Sequence, residues 1–195
     1  MRDYAEVPVP DAAGLRRWLE VNHRQATPVW LVTAKKGQPD YLAYGDIVEE
    51  LLCFGWVDSL PRAHDTTHTM LLASPRKAGS AWSKPNRDRI ARLIASARMH
   101  EAGLAKVEAA KCDGSWDFLK AAEAGTEQPD LAAALSGHAQ SRRGFNGFSA
   151  ATRRRLIEWV ERAKRPVTRA KRIAAIVADA AEGRDPLAWS PKASR

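Results

Sequence analysis

The densest chemistry in this chain lies in residues 163–172, Ala-Lys-Arg-Pro-Val-Thr-Arg-Ala-Lys-Arg. Pro166 lacks an amide hydrogen and has a preset φ, so one helix should end near Lys164 and another begin at Pro166. The new helix presents free N–H groups at Val167 and Thr168, together with the Thr168 hydroxyl, and a helix N-terminus attracts anions. Arg165 and Arg169 flank that end, although cations there oppose the helix dipole by roughly a few tenths of a kcal/mol. Placing cations where they slightly weaken the helix implies an anion. Lys164, Arg165, Thr168, Arg169 and Arg172 are therefore the expected anion-binding residues. The anion is either an external phosphate or carboxylate, or an Asp or Glu from elsewhere in the fold.

A second group is Arg76, Ser80, Trp82, Ser83 and Asn86. Arg76 offers a planar fork suited to carboxylate or phosphate, and Trp82 offers a stacking face. Ser83 and Asn86 are equally explained as caps of a helix at residue 84, and Trp82 as an anchor of its loop on the core. Trp56 and Asp58 follow a helix end beside Cys53; Asp58 can serve as a base or pair with Arg76. A nucleophilic Cys53 needs a neighbouring base and access to solvent, whereas its place between Leu52 and Phe54 reads as a small buried hydrophobe. His64 and His68 are spaced for a metal, but only Asp65 is near in sequence and no third ligand is evident. No metal site, cofactor or catalytic residue is assigned, since there is no phosphate-binding glycine loop, nucleotide fingerprint or serine-triad elbow.

The elements that position these residues follow from capping and periodicity. Asp11 should cap a helix over about 12–25 with Leu15, Trp18 and Leu19 on one face. Residues 29–34 (VWLVTA) read as a strand, and Tyr44, Ile47, Val48, Leu51 and Leu52 mark a helix that stops near Gly55. Residues 56–57 and about 66–73 read as antiparallel strands across a loop containing Pro61. Helices are expected from residue 84 and over about 101–111, then over 116–124, 129–136, 139–146, 149–164 and 166–182. The fold class is α+β, a small antiparallel β-sheet with helices in the N-terminal half and an all-helical C-terminal half. The expected divisions are an α+β region over 1–115, a helical module over 116–183 and a flexible tail over 184–195, in which Trp189 is either exposed or docked.

Composition narrows the function classes. The chain has 195 residues, 45% of them hydrophobic and 28% charged, an ordinary globular balance. Two cysteines, Cys53 and Cys112, cannot build a disulfide framework or a cysteine-rich zinc site, so a reducing compartment is the simpler expectation. The first twenty residues lack the apolar segment of a secretory signal, and no stretch is apolar enough to span a membrane, which points to a cytoplasmic protein. The net charge is +8. Residues 151–172 carry nine basic side chains against two acids, so nearly all of that charge is local. Such a field suits an anionic small molecule, an acidic protein surface or nucleic acid, or else simply solvates a helix face.

Residues 50–58 (ELLCFGWVD), 74–86 (SPRKAGSAWSKPN), 98–116 (RMHEAGLAKVEAAKCDGSW) and 159–173 (WVERAKRPVTRAKRI) together resemble the YdeI/OmpD-associated, or bacteriocin-protection, family. The match runs in order from about residue 12 to 183, with the family's helical module over about 125–183. Ser59 departs from the pattern by standing in place of a glycine; if that glycine served a positive-φ turn, Ser59 takes on strain. The resemblance implies a part in resistance to antimicrobial peptides or envelope stress, with no catalytic activity attached. Direct capture of a cationic peptide is opposed by the net charge and would need an acidic patch such as Asp46, Glu49 and Glu50. The leading expectation is a non-catalytic protein that binds an anionic ligand or partner. The alternatives are a nucleic-acid-binding protein using the basic C-terminal helices, and an enzyme acting on a small anionic metabolite around Arg76, Trp82 and Asp58.

Overall fold

A computed structural model describes residues 4–188. They divide into two compact units, one ending at Phe118 and the other beginning at Leu119. The fold is α+β, with the sheet confined to the first unit and the second all helical.

In the first unit, β1 (Glu6–Pro8) leads into α1 (Ala12–Asn22), β2 (Val29–Ala34) and α2 (Tyr44–Cys53). The hairpin of β3 (Trp56–Ala63) and β4 (His68–Pro75) follows, then α3 (Lys84–Ala95) and α4 (Glu101–Cys112). The strand order is β1-β2-β4-β3. β2 pairs antiparallel with β4, and β4 with β3, but β1 runs parallel to β2, so the sheet is mixed rather than purely antiparallel. The cause is the connection: α1 is a crossover helix, which returns the chain in the same direction. A three-residue strand ending in proline carries no periodic signal of its own.

Asp11 caps α1 by accepting the Gly14 amide hydrogen at 2.6 Å. The helix buries Leu15 and Leu19 completely, as its spacing requires. Those side chains join Leu31, Val48, Leu51, Leu52, Phe54, Trp56, Trp82 and Ile90 in one core. Gly55, at φ +74°, turns the chain from α2 into β3. Gly103 lets α4 lie directly against the end of α2, since a Cβ there would meet the Cys53 carbonyl oxygen at 2.2 Å.

Pro61 lies within β3 rather than in a loop. It is tolerated because β3 is an edge strand and the register shifts between Asp58 and Pro61. Ser59 sits in that irregular stretch without a positive φ, and its hydroxyl donates to the Leu72 carbonyl, so replacing the family's glycine introduces no strain there.

The second unit contains α5 (Lys120–Glu123), α6 (Pro129–Ser136), α7 (Ala139–Gly147), α8 (Ala150–Glu161) and α9 (Pro166–Ala181). The helix expected over 116–124 is reduced to four residues. Asp113 turns the chain with Gly114 at φ +78° by accepting the Ser115 amide hydrogen, and the following residues remain in turns. Leu131, Leu135, Phe145, Leu156, Ile157, Val160, Ile176 and Ala180 form a core of their own. Gly144 permits close contact of α7 with α9, because a Cβ there would lie 1.7 Å from the Ala180 carbonyl oxygen. Beyond α9, Asp185 pairs with Arg155 and Leu187 packs on this core. Trp189 lies outside the described residues.

Candidate ligand-binding site

Pro166 begins α9 as its sequence position dictates, with Arg165 as the N-cap residue. Beside it lies a hollow of about 610 Å³. Its walls come from Ala170, Ile173, Ala174 and Val177 of α9 and Ala134 of α6, and its polar lining from Asp130, His138 and Arg169. These α9 positions recur every three or four residues, so they form one apolar stripe along the helix. Val167, 67% exposed, borders that stripe one turn before Ala170 and Lys171.

The expected anion-binding residues separate into two groups. Arg169 is held internally, since its Nε and Nη2 donate to the two carboxylate oxygens of Asp130 at 2.6 and 2.8 Å and its Nη1 donates to the Val160 carbonyl. The hydrogen bond between them raises the Arg169 pKa and lowers that of Asp130. Arg172 donates to the Trp159 carbonyl and lies over the Trp159 ring. Lys164 and Arg165 are exposed and make no ion pair among the described residues; Thr168 is half-buried on the first turn of α9. Lys171 is likewise exposed and unpaired. The Pro166 end thus holds a satisfied Arg–Asp fork beside a hollow, with cations around it that make no ion pair among the described residues.

The second group is brought together only in part. Arg76 and Trp82 are 4% and 1% exposed, and the guanidinium carbon lies 3.8 Å from the centre of the Trp82 ring. Trp82 packs in turn on Trp116, with ring centres 5.2 Å apart, so it does anchor its loop on the core. Arg76 Nη1 donates to the Ala81 carbonyl, but the buried Nε–H has no acceptor. Burial pulls the Arg76 pKa down to about 10, which leaves it charged at neutral pH. A hollow of about 50 Å³ is lined by Arg76, Lys77, Gly79, Trp82, Lys106 and Asp113, with alanines and Ser115 completing it.

The remaining residues of that group point to structure. Asp58 accepts the Tyr44 hydroxyl at 2.6 Å and makes no direct contact with Arg76. Burial and that bond push the tyrosine up to about 12. Trp56 is fully buried and donates its indole N–H to the His23 carbonyl. Ser80 donates to the Lys77 carbonyl within its own turn. Ser83 is the N-cap residue of α3 by position, though its hydroxyl accepts no cap hydrogen bond, and Asn86 accepts from Arg89. Lys77 and Lys106 carried no signal in the sequence, because only the fold places α4 beside the loop after β4.

Cys53 is buried and Cys112 exposed. Burial raises the Cys53 pKa, with the Glu50 charge adding to the rise, which suits an inert side chain. The acidic patch considered for a cationic peptide is already occupied. Glu50, 3% exposed, accepts from Arg16 and Arg98, while Glu49 pairs with Arg92 and Arg98. His64 and His68 close on Asp65, and His64 also reaches Glu6. Among the described residues, no group of three or more His, Cys, Asp or Glu side chains is placed to hold a metal ion.

No helix among the described residues is long and apolar enough to cross a membrane. No curated protein and no solved structure matches the chain. Residues 7–106, which carry all of the sheet but its first residue, Glu6, together with Arg76 and Lys77, match a domain of unknown function, DUF8412. Residues 126–183 match the family described as bacteriocin-protection, YdeI or OmpD-associated. That span takes in α6 to α9 together with the hollow beside Pro166, so the helical unit is similar to that family, while the match over residues 7–106 covers half of the chain, which belongs to the DUF8412 family.

Proposed function

We propose that this protein is a non-catalytic binding protein whose helical unit takes a ligand with an apolar body and an anionic group, and that it supports protection against bacteriocins through that ligand. The observation that carries the reading is the apolar hollow beside Pro166, built from Ala134, Ala170, Ile173, Ala174 and Val177. An apolar cleft with a few polar groups at one end is the usual form of a small-molecule site. Lys164, Arg165 and Lys171, exposed and without ion pairs among the described residues, supply the field that favours a negative group. The same field opposes a cationic peptide, and Glu49 and Glu50 are already paired, so protection is indirect.

Anilinonaphthalene sulfonate, an apolar ring system with one sulfonate, is a suitable probe. Its fluorescence should rise saturably with the full chain. Ala174→Trp fills the hollow from a position exposed to solvent, so it should abolish that rise while leaving the circular dichroism unchanged. Binding that survives Ala174→Trp and Ala170→Trp overturns the reading. In cells, the wild-type chain should raise survival under bacteriocin challenge and Ala174→Trp should not.

A further inference from the structure

We propose that the hollow at Arg76 is a second binding site, specific for a single oxyanion group, a phosphate or carboxylate, carried by a small molecule. The site belongs to the first unit and stands independently of the hollow beside Pro166.

The floor of the site is the Arg76 guanidinium. A guanidinium carries five N–H donors and no acceptor, so burial is costly unless acceptors surround it. Here one hydrogen bond among the described residues, from Nη1 to the Ala81 carbonyl at 3.1 Å, serves a residue that is 4% exposed. Its Nε–H is buried without an acceptor, and although the Asp58 charge reaches Arg76, no carboxylate among the described residues forms an ion pair with it. The Trp82 ring covers the cation at 3.8 Å and holds it in place, which offsets part of the desolvation but satisfies no N–H.

The rim supplies more positive charge than negative. Lys77 and Lys106 both line the hollow, both are exposed, and neither makes an ion pair among the described residues. Asp113 is the one acid in the lining, and its carboxylate accepts the Gly79 and Ser115 amide hydrogens; the Ser115 side chain first, then the Ser115 amide and the Gly79 amide, hold its pKa below the usual range. Two lysines and one arginine against one engaged carboxylate leave the hollow with a net positive field. Its volume of about 50 Å³ admits one oxyanion group and not a whole cofactor. An oxyanion seated there lies against the buried Arg76 guanidinium and beside the Lys77 and Lys106 side chains, so its charge offsets a cation that no carboxylate neutralises, and the Nε–H resonance reports the change. Phosphate and carboxylate share this chemistry, and the measured preference between them identifies the source.

The test uses the full chain labelled with nitrogen-15 arginine, titrated with inorganic phosphate and with malonate at constant ionic strength. The Arg76 Nε–H resonance is assigned by its loss in Arg76→Lys. It should move saturably with at least one of the two anions, at concentrations up to tens of millimolar. Lys77→Ala and Lys106→Ala remove exposed side chains and should each weaken that affinity by about two- to threefold. A resonance that moves with neither anion overturns the proposal. So does movement that chloride reproduces at the same ionic strength, or an affinity that both lysine variants leave unchanged. Ala174→Trp should leave this titration unaffected, so the failure of one site is distinguishable from that of the other.

Discussion

Asp130 neutralises Arg169 at the polar end of the apolar hollow, and in the proposed binding mode that pairing limits the pull on a negative group. Both side chains are partly exposed, so the pair itself should contribute no more than about 1 kcal/mol to stability. Asp130→Asn should therefore leave the melting temperature nearly unchanged while tightening sulfonate-probe binding several-fold, as read by fluorescence titration. Gly144 tests packing at the same scale. Gly144→Ala sets a methyl against the Ala180 carbonyl and should cost about 3 kcal/mol, near the upper end of overpacking effects, in urea unfolding. Gly147→Ala, in the same helix with open space around it, should be neutral or stabilising by about 0.5 kcal/mol. The arginine cluster was legible in the sequence, but its pairing was not. Arg169 meets an aspartate 39 positions away and Arg155 one 30 positions away, distances that no local pattern encodes.

At the level of elements, helix limits were the most legible feature. Asp11 before α1 and Pro166 at the start of α9 are local signals, and the structure follows both. β1 is not legible because three residues carry no alternation, and Pro61 reads as a loop residue because the sequence does not reveal that its strand lies at the edge, where a proline is tolerated. The connection between β3 and β4 is pinned by Asp65, which accepts from the Thr67 and His68 amides and contacts both histidines. Its pKa is depressed chiefly by the Thr67 amide, so that contribution is present above the ordinary carboxylate range and fades as acid protonates it. The His64 pKa is raised, first by Asp65 and then by Glu6, so its contribution is complete below the ordinary imidazole value and fades as pH rises through the higher folded one. Asp65→Asn should thus lower the melting temperature most near about pH 5 and less at about pH 8. A penalty that does not vary with pH would exclude the histidine part of this arrangement.

Across the whole molecule, two separate cores imply two separate folding units. Trp56, Trp82 and their neighbours stabilise one, and Leu131, Phe145, Leu156 and Ile176 the other. Fragments 1–118 and 119–195 should each fold when expressed alone, giving cooperative thermal transitions by circular dichroism. The sheet's two outer strands share one further property. β1 ends in Pro8, and β3 carries Pro61 beside its register shift. Proline has no amide hydrogen to offer an incoming strand, and an irregular ladder gives it no straight template. A protein so built resists fibril growth by edge-to-edge addition, and concentrated solutions should stay free of thioflavin-positive aggregates while the native fold persists.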